Sequence, residues 1–340
     1  MTGNRGHEMD RAAIEELWSS KTSARASYLV PARHTVSALA RLGVVHEGDS
    51  VIAFADDFED AIRREFASTD LHLLASPAVE AFQCESDACS DNDGDRRVFW
   101  FVNSIGGHGL RVPNLRQLGR AARSRGAYLV VDNTVASYFG CRPLDMGACL
   151  TLEALDRVCG GATEHKLVAV SVARSQLKRH AVDQRAEEMF RLLEAARGSA
   201  EPVGECDLRA VADGLETSSL RMQMHFDRAR AIAEFLAANE AVPQVAYPGL
   251  ASHPDHVAAT GVLMHGFGPA VEFEVPCDRT AADVIALLPD AYRTSPAGGA
   301  HTRVSAIDGL EAHRLRLFAG TDNPLQVAAD LDRALRTALR

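Results

Sequence analysis

The chain has 340 residues, 46% of them hydrophobic, which is enough to bury a sizeable core and excludes a disordered or fibrous protein. Its formal charge of −10 and pI near 5.7 argue against a nucleic-acid backbone or an anionic membrane as the main partner, because both attract a positive field. Residues 1–20 mix charges without an apolar stretch of signal-peptide length, and no later run reaches the roughly 18 apolar residues of a membrane span, so a cytoplasmic location is expected.

Along the chain the hydrophobic pattern alternates between helical and strand periods, as in a parallel sheet covered by helices. Residues 35–45 read as a helix and 50–54 as a short buried strand. Residues 81–97 (AFQCESDACSDNDGDRR), acidic and rich in turn formers, read as a solvated loop. A strand is predicted over 98–102, a helix opened by Pro113 over 113–125, and a strand over 128–131 that ends on Asp132. Residues 167–172 read as another apolar strand. Long helices are predicted over 186–196 and 220–238, the second amphipathic and placed to link two lobes. After Val245 a turn at Tyr247-Pro248-Gly249-Leu250 leads into alternating segments such as Val271-Glu272-Phe273-Glu274-Val275. That texture predicts a small α+β domain closed by a helix over 325–339.

Chemistry is expected first at Val130-Val131-Asp132-Asn133-Thr134, because ligands of an open α/β sheet bind at the carboxyl ends of its strands. The structural alternative for Asp132 is a capping role. Of 36 basic residues only Lys21, Lys166 and Lys178 are lysines, so three side chains are available to bond covalently to an aldehyde. His34, His108 and His165 are candidate acids or bases, against the commoner role of a surface or packing histidine. The seven cysteines are expected to be reduced thiols. Cys84 and Cys89 lack a second Cys/His pair nearby in sequence, so no metal site is expected there.

Downstream of Asp132 run Arg142-Pro143-Leu144-Asp145-Met146-Gly147 and Gly160-Gly161, then Leu220-Arg221-Met222 with His225. Tyr247-Pro248-Gly249-Leu250 with Ser252-His253-Pro254 follows, and Leu315-Arg316-Leu317 with Gly320 comes last. In these segments the chain resembles the Cys/Met-metabolism family of fold type I pyridoxal-phosphate (PLP) enzymes, which includes cystathionine γ-synthase, cystathionine γ-lyase and methionine γ-lyase. The resemblance covers nearly the whole chain. It implies an α/β, aminotransferase-like fold with a mostly parallel, seven-stranded sheet between helices and a small C-terminal α+β domain. The division it implies is an N-terminal arm over 1–25, a large domain over 26–225, and a linking helix with the small domain over 226–340.

The family's "SATKY" motif, which ends near the lysine that holds the cofactor, falls without gaps on Ala154-Leu155-Asp156-Arg157-Val158. A guanidinium stays protonated and cannot replace that amine. The phosphate-cradling "SGM" falls in the window Pro31-Ala32-Arg33-His34, where proline has no N–H to donate. The ring-stacking tyrosine aligns with Phe58, and the glycines after it with Glu59 and Asp60; at the next strand end only Ser104 is kept. Two anchors are retained: Asp132, at the position that pairs with the pyridinium nitrogen, and Arg316, at the position that grips a substrate carboxylate. Arg316 has an ion pair with an acid of the small domain as its structural alternative. Arg5 aligns weakly with an arginine that family members lend to a neighbouring subunit.

The leading expectation is a catalytically degenerate relative that carries no PLP of its own. It would form a homodimer or tetramer, or join an active paralogue as a partner or regulatory subunit, in sulfur or other amino-acid metabolism. One alternative is an enzyme acting on an amino-acid-like molecule, without PLP or with PLP held noncovalently or by Lys166. The other is a binding or scaffold protein.

Overall fold

The computed structural model describes residues 10–54, 59–90, 96–175, 182–198, 201–276, 278–307 and 313–337. Runs of mostly apolar residues five or six long are stable as strands only when both faces are covered, and residues 50–54, 98–103, 128–132 and 167–172 of the larger sheet are such runs. Its strands are β1 (Ala26–Pro31), β2 (Ser50–Phe54), β3 (Asp70–Leu73), β4 (Val98–Asn103), β5 (Tyr128–Asp132), β6 (Leu150–Ala154) and β7 (Leu167–Val172). They lie in the order β1-β7-β6-β5-β4-β2-β3. β6, β5, β4, β2 and β3 are parallel, and β7 and β1 are each antiparallel to the neighbour before them.

The strand period of two sends alternate residues to opposite cores. Val51, Ala53, Phe99 and Phe101 pack with Val36 and Leu39 of helix Thr35–Arg41, Ile62 of helix Glu59–Glu65, and Met189 and Leu193 of helix Gln184–Arg197. Ile52, Phe54, Trp100 and Val102 face the other way, onto Phe82 of helix Val79–Ser90 and Leu118 and Ala122 of helix Leu115–Ser124. The sheet therefore has helices on both faces. A second, antiparallel sheet, ordered β10-β11-β9-β8, is built from β8 (Val245–Ala246), β9 (Ala270–Glu274), β10 (Arg303–Ala306) and β11 (Arg314–Phe318). Its core includes Val271, Phe273, Leu315 and Leu317 with Val327 and Leu331 of helix Pro324–Arg336. The 33-residue helix Glu205–Ala237, about 50 Å long at 1.5 Å per residue, joins the two parts. Among the described residues no helix is long and apolar enough to cross a membrane.

Four sequence expectations are corrected. The helix expected over 220–238 begins at Glu205. Residues 79–90, expected from 81 onward to be a solvated loop, form a helix because Phe82, Ser86 and Cys89, spaced by four and three, bury one face against the sheet while Glu80 and Asp87 point outward. The helix expected from Pro113 begins at Leu115, since the Asn114 side chain accepts the Gln117 N–H at 3.1 Å and caps it. The helix expected over 35–45 ends at Arg41, where the Val44 N–H turns back to the Leu39 carbonyl. None of the described cysteines is in a disulfide, and Cys277 lies outside the described residues.

Candidate functional site

The parallel strands end beside a cleft of about 1180 Å³ that the smaller sheet closes from the other side. Asp132, the last residue of β5, stands in register with Asn103 at the end of β4 and Leu152 of β6. It is 3% exposed. One carboxylate oxygen accepts the Thr134 N–H at 2.9 Å and the other accepts the Thr35 hydroxyl, so Asp132 does cap the turn that follows it. Burial pushes its carboxyl above the usual range, against these hydrogen bonds and the positive field of Arg157.

Arg157 lies in the turn after β6 and lines the cleft together with Thr134, Ala154 and Phe318. Its guanidinium carbon stands 4.1 Å from the centroid of the Phe318 ring, a cation–π contact. Its backbone is held as firmly. Gly298, at φ +84°, passes so close that a Cβ there would come within 2.6 Å of the Arg157 Cα, and only glycine suits both the conformation and the approach.

Arg316, in β11, also lines the cleft. Its directly opposite partner on β9 is Glu272, which is 2% exposed. Arg316 Nε donates to Glu272 Oε1 at 2.7 Å, Nη2 donates to the same oxygen, and Nη2 also donates to the Gly107 carbonyl at 3.0 Å. The other Glu272 oxygen accepts the Gly109 N–H at 2.7 Å. Glu272 was not foreseen, though a signal was present: Glu272-Phe273-Glu274 and Arg314-Leu315-Arg316 alternate acid and base with the strand period, and both pairs form.

Among the described residues the cleft is lined by five arginines, namely Arg33, Arg41, Arg64, Arg157 and Arg316. His34 and His108 line it too, with Asp60 and Glu65 as the acids. Burial and the neighbouring Arg33 and Arg64 lower the pKa of His34. His165 pairs with Asp207 and lies outside the lining, and Lys21 sits 5.9 Å from the Tyr138 ring centroid. Lys166 is nearer. It lines an adjoining recess of about 380 Å³ that shares Thr134, Ala154, Arg157, Ser305 and Phe318 with the cleft, and its amine forms an ion pair with Asp156. Phe58, Arg5 and Lys178 lie outside the described residues. A separate hollow of about 710 Å³, on the Glu205–Ala237 helix, contains neither Asp132 nor a lysine.

The cofactor implied by the resemblance does not fit this lining as a covalently held group. Arg157 rather than an amine reaches into the cleft. At the window expected to cradle a phosphate, Pro31 has no N–H and the Ala32 N–H is donated to the Lys166 carbonyl at 3.0 Å. Asp60, in helix Glu59–Glu65, adds a carboxylate to the cleft wall.

Deeper in lie two buried groups, Glu153, which the sequence did not single out, and His225, known there only as part of a motif. Glu153, on β6, accepts the Asn133 side-chain N–H at 3.1 Å and the Tyr138 N–H at 2.9 Å; burial pushes its carboxyl up to about 8. His225 is 1% exposed, and neither ring nitrogen has a hydrogen-bond partner among the described residues. Burial, helped by Arg221, Arg228 and Arg157, lowers its pKa to about 4. The unfolded chain then binds more protons than the folded one between pH 4 and 6.5, so this residue makes stability fall as pH falls through that window. His225→Leu is expected to shrink the loss of unfolding free energy between pH 7.5 and pH 5 by roughly 2 kcal/mol. Parallel wild-type and variant curves in urea melts at the two pH values would show that His225 is paired or charged in the fold.

The family model for "Cys/Met metabolism PLP-dependent enzyme" matches residues 4–306. A cystathionine γ-synthase of Mycobacterium tuberculosis is 29% identical over 243 residues, 66% of this chain and 58% of the relative, so the chain spans less than two thirds of that protein. A cystathionine γ-lyase of Dictyostelium discoideum is 25% identical over 311 residues, 86% of this chain and 76% of the relative. The solved structure of a methionine γ-lyase from Micromonospora echinospora superposes with a TM-score of 0.80 at 24% identity, covering 96% of this chain and 85% of the other, a likeness of fold. With a mostly parallel seven-stranded sheet, Asp132 at its carboxyl edge and a family match over most of its length, this chain belongs to the Cys/Met-metabolism family of PLP-dependent enzymes.

Proposed function

We propose that this chain is a family member that does not itself carry out PLP chemistry and acts as a partner or regulatory subunit of an active relative in amino-acid metabolism. The observation that carries the reading is Arg157: a permanently charged guanidinium, stacked on Phe318 and packed against Gly298, fills the part of the cleft where the family resemblance calls for an amine. Arg316 supports it, since a substrate carboxylate would have to displace Glu272 from an ion pair formed inside the protein. The kept framework would then serve assembly, with itself and with an active paralogue.

A second reading rests on Lys166, whose recess is continuous with the cleft. In it the protein is an enzyme for an amino-acid-like substrate, with PLP held by Lys166 or noncovalently. One experiment separates the two. The purified protein, incubated with PLP, is expected to show no new visible absorbance and no borohydride-reducible adduct, and light scattering is expected to show a dimer or larger assembly, alone or with a co-expressed active relative. An adduct mapped to Lys166 would replace the first reading by the second. A stable monomer under both conditions would remove the partner-subunit role.

A further inference from the structure

Far from the cleft, at the outer edge of the larger sheet, the chain gathers three different metal-ligating side chains. β3 is the terminal strand, and Asp70 and His72, two residues apart, project from the same side of it. Helix Val79–Ser90 lies alongside and presents Cys89, which is 4% exposed, with Glu85 one turn earlier on the same side. His72 Nε2 stands 3.0 Å from Asp70 Oδ1 and 3.6 Å from Cys89 Sγ, and one ligand atom from each of the three residues lies within 4.8 Å of the other two.

We propose that Asp70, His72 and Cys89 bind a divalent transition-metal ion, Zn2+ by the chemistry of the donors. Ligands held tetrahedrally at about 2.0–2.3 Å from zinc stand about 3.3–3.8 Å apart, so the His72–Cys89 spacing of 3.6 Å already lies in that range and the His72–Asp70 spacing of 3.0 Å needs to open by only a few tenths of an ångström. Thiolate and imidazole select zinc over magnesium or calcium, and the partial exposure of Asp70 and His72 leaves a fourth position for water.

The surroundings are arranged as around a metal ligand. Glu85 Oε1 stands 2.7 Å from His72 Nδ1, which directs the proton to Nδ1 and the lone pair of Nε2 toward Asp70 and Cys89. With the proton on Nδ1, a metal ion can take the Nε2 lone pair together with the facing Asp70 oxygen, 3.0 Å away, and the thiolate. Arg96 Nη1 holds the second Asp70 oxygen at 2.8 Å, leaving Oδ1 for the ion. Zn2+ and Arg96 together balance the thiolate and the two carboxylates. Binding forms bonds to Oδ1, Nε2 and Sγ and releases the thiol proton to water. Sequence spacing concealed the site because His72 comes 17 residues before Cys89, and Cys84, which drew attention beside it, is exposed and outside the cluster.

The test is a Co2+ titration of the full-length, untagged and chelator-treated protein under reducing conditions. A thiolate-to-cobalt charge-transfer band saturating at one equivalent and displaced by Zn2+ is expected. Cys89→Ser should abolish the band, His72→Asn should weaken binding at least tenfold, and Glu85→Gln should weaken it about 10- to 100-fold through the imidazole orientation. Cys84→Ser and Cys206→Ser should leave it intact. Because Cys89 is buried, a second readout guards against misfolding: Zn2+ should raise the Tm of the wild type and not that of His72→Asn, whose metal-free Tm is measured alongside. No saturable band in the wild type, or a band that survives Cys89→Ser, would overturn the site.

Discussion

Arg157→Lys alone is expected to leave the protein without cofactor absorbance and without γ-elimination or γ-replacement on cysteine- or homoserine-type substrates. The substitution supplies an amine and nothing else. The phosphate side would still have Pro31 without an N–H, an Ala32 N–H already donated to the Lys166 carbonyl, and the carboxylates of Asp156 and Asp60 nearby. Charge-assisted hydrogen bonds are worth about 1.5–3 kcal/mol each, so lacking two or three lowers retention by several orders of magnitude. The combined variant Arg157→Lys, Asp156→Thr, Ala154→Ser and Phe58→Tyr is expected to gain measurable PLP binding, read as visible absorbance after gel filtration. A yellow, active single variant would mean that the rest of the cleft is intact and that the proposed non-catalytic role is wrong.

Arg316→Ala is expected to cost about 3–5 kcal/mol of stability, because it leaves the Glu272 carboxylate buried without its guanidinium. Neighbouring Arg314 offers an internal control. Its pair with Glu274 is about a third exposed on both sides, so Arg314→Ala should cost no more than about 1 kcal/mol. The double variant Arg316→Leu with Glu272→Leu should recover most of the loss, since no charge is then stranded. Urea midpoints for the four proteins decide the matter. Equal costs for the two single variants would show that Arg316 is held for a ligand rather than for the fold.

The fold was legible because its strands are apolar runs bounded by turns and because Asp132 ends one of them. In the larger sheet the strands that escaped were β1, β3 and β6. β1 carries Ser27 and Pro31, β3 is a short polar edge, and β6 includes Thr151 and Glu153, so none has an uninterrupted apolar signature. Helix Val79–Ser90 was hidden by its three acids, which are as many as the side chains that bury it. At the site, Arg157 and Arg316 were identifiable from their positions, while Glu272, Thr35 and His72 acquired their roles only through neighbours far away in sequence. Pairings of that kind are set by strand register and helix packing, which periodicity does not report.

The contacts around the cleft also decide how it can move. On one wall the Arg316–Glu272 pair of the smaller sheet is tied to Gly107 and Gly109; on the other, Arg157 is wedged against Gly298 and a Cβ at Gly161 would meet the Pro296 ring at 2.4 Å. A hinge needs at least one side free to slide, and here both sides are fastened across the opening. The two sheets are therefore tied to each other on both sides of the opening. A molecule entering the cleft meets a mouth whose charge is set by arginines on its lining, and any opening of the two sheets has to break these ties first.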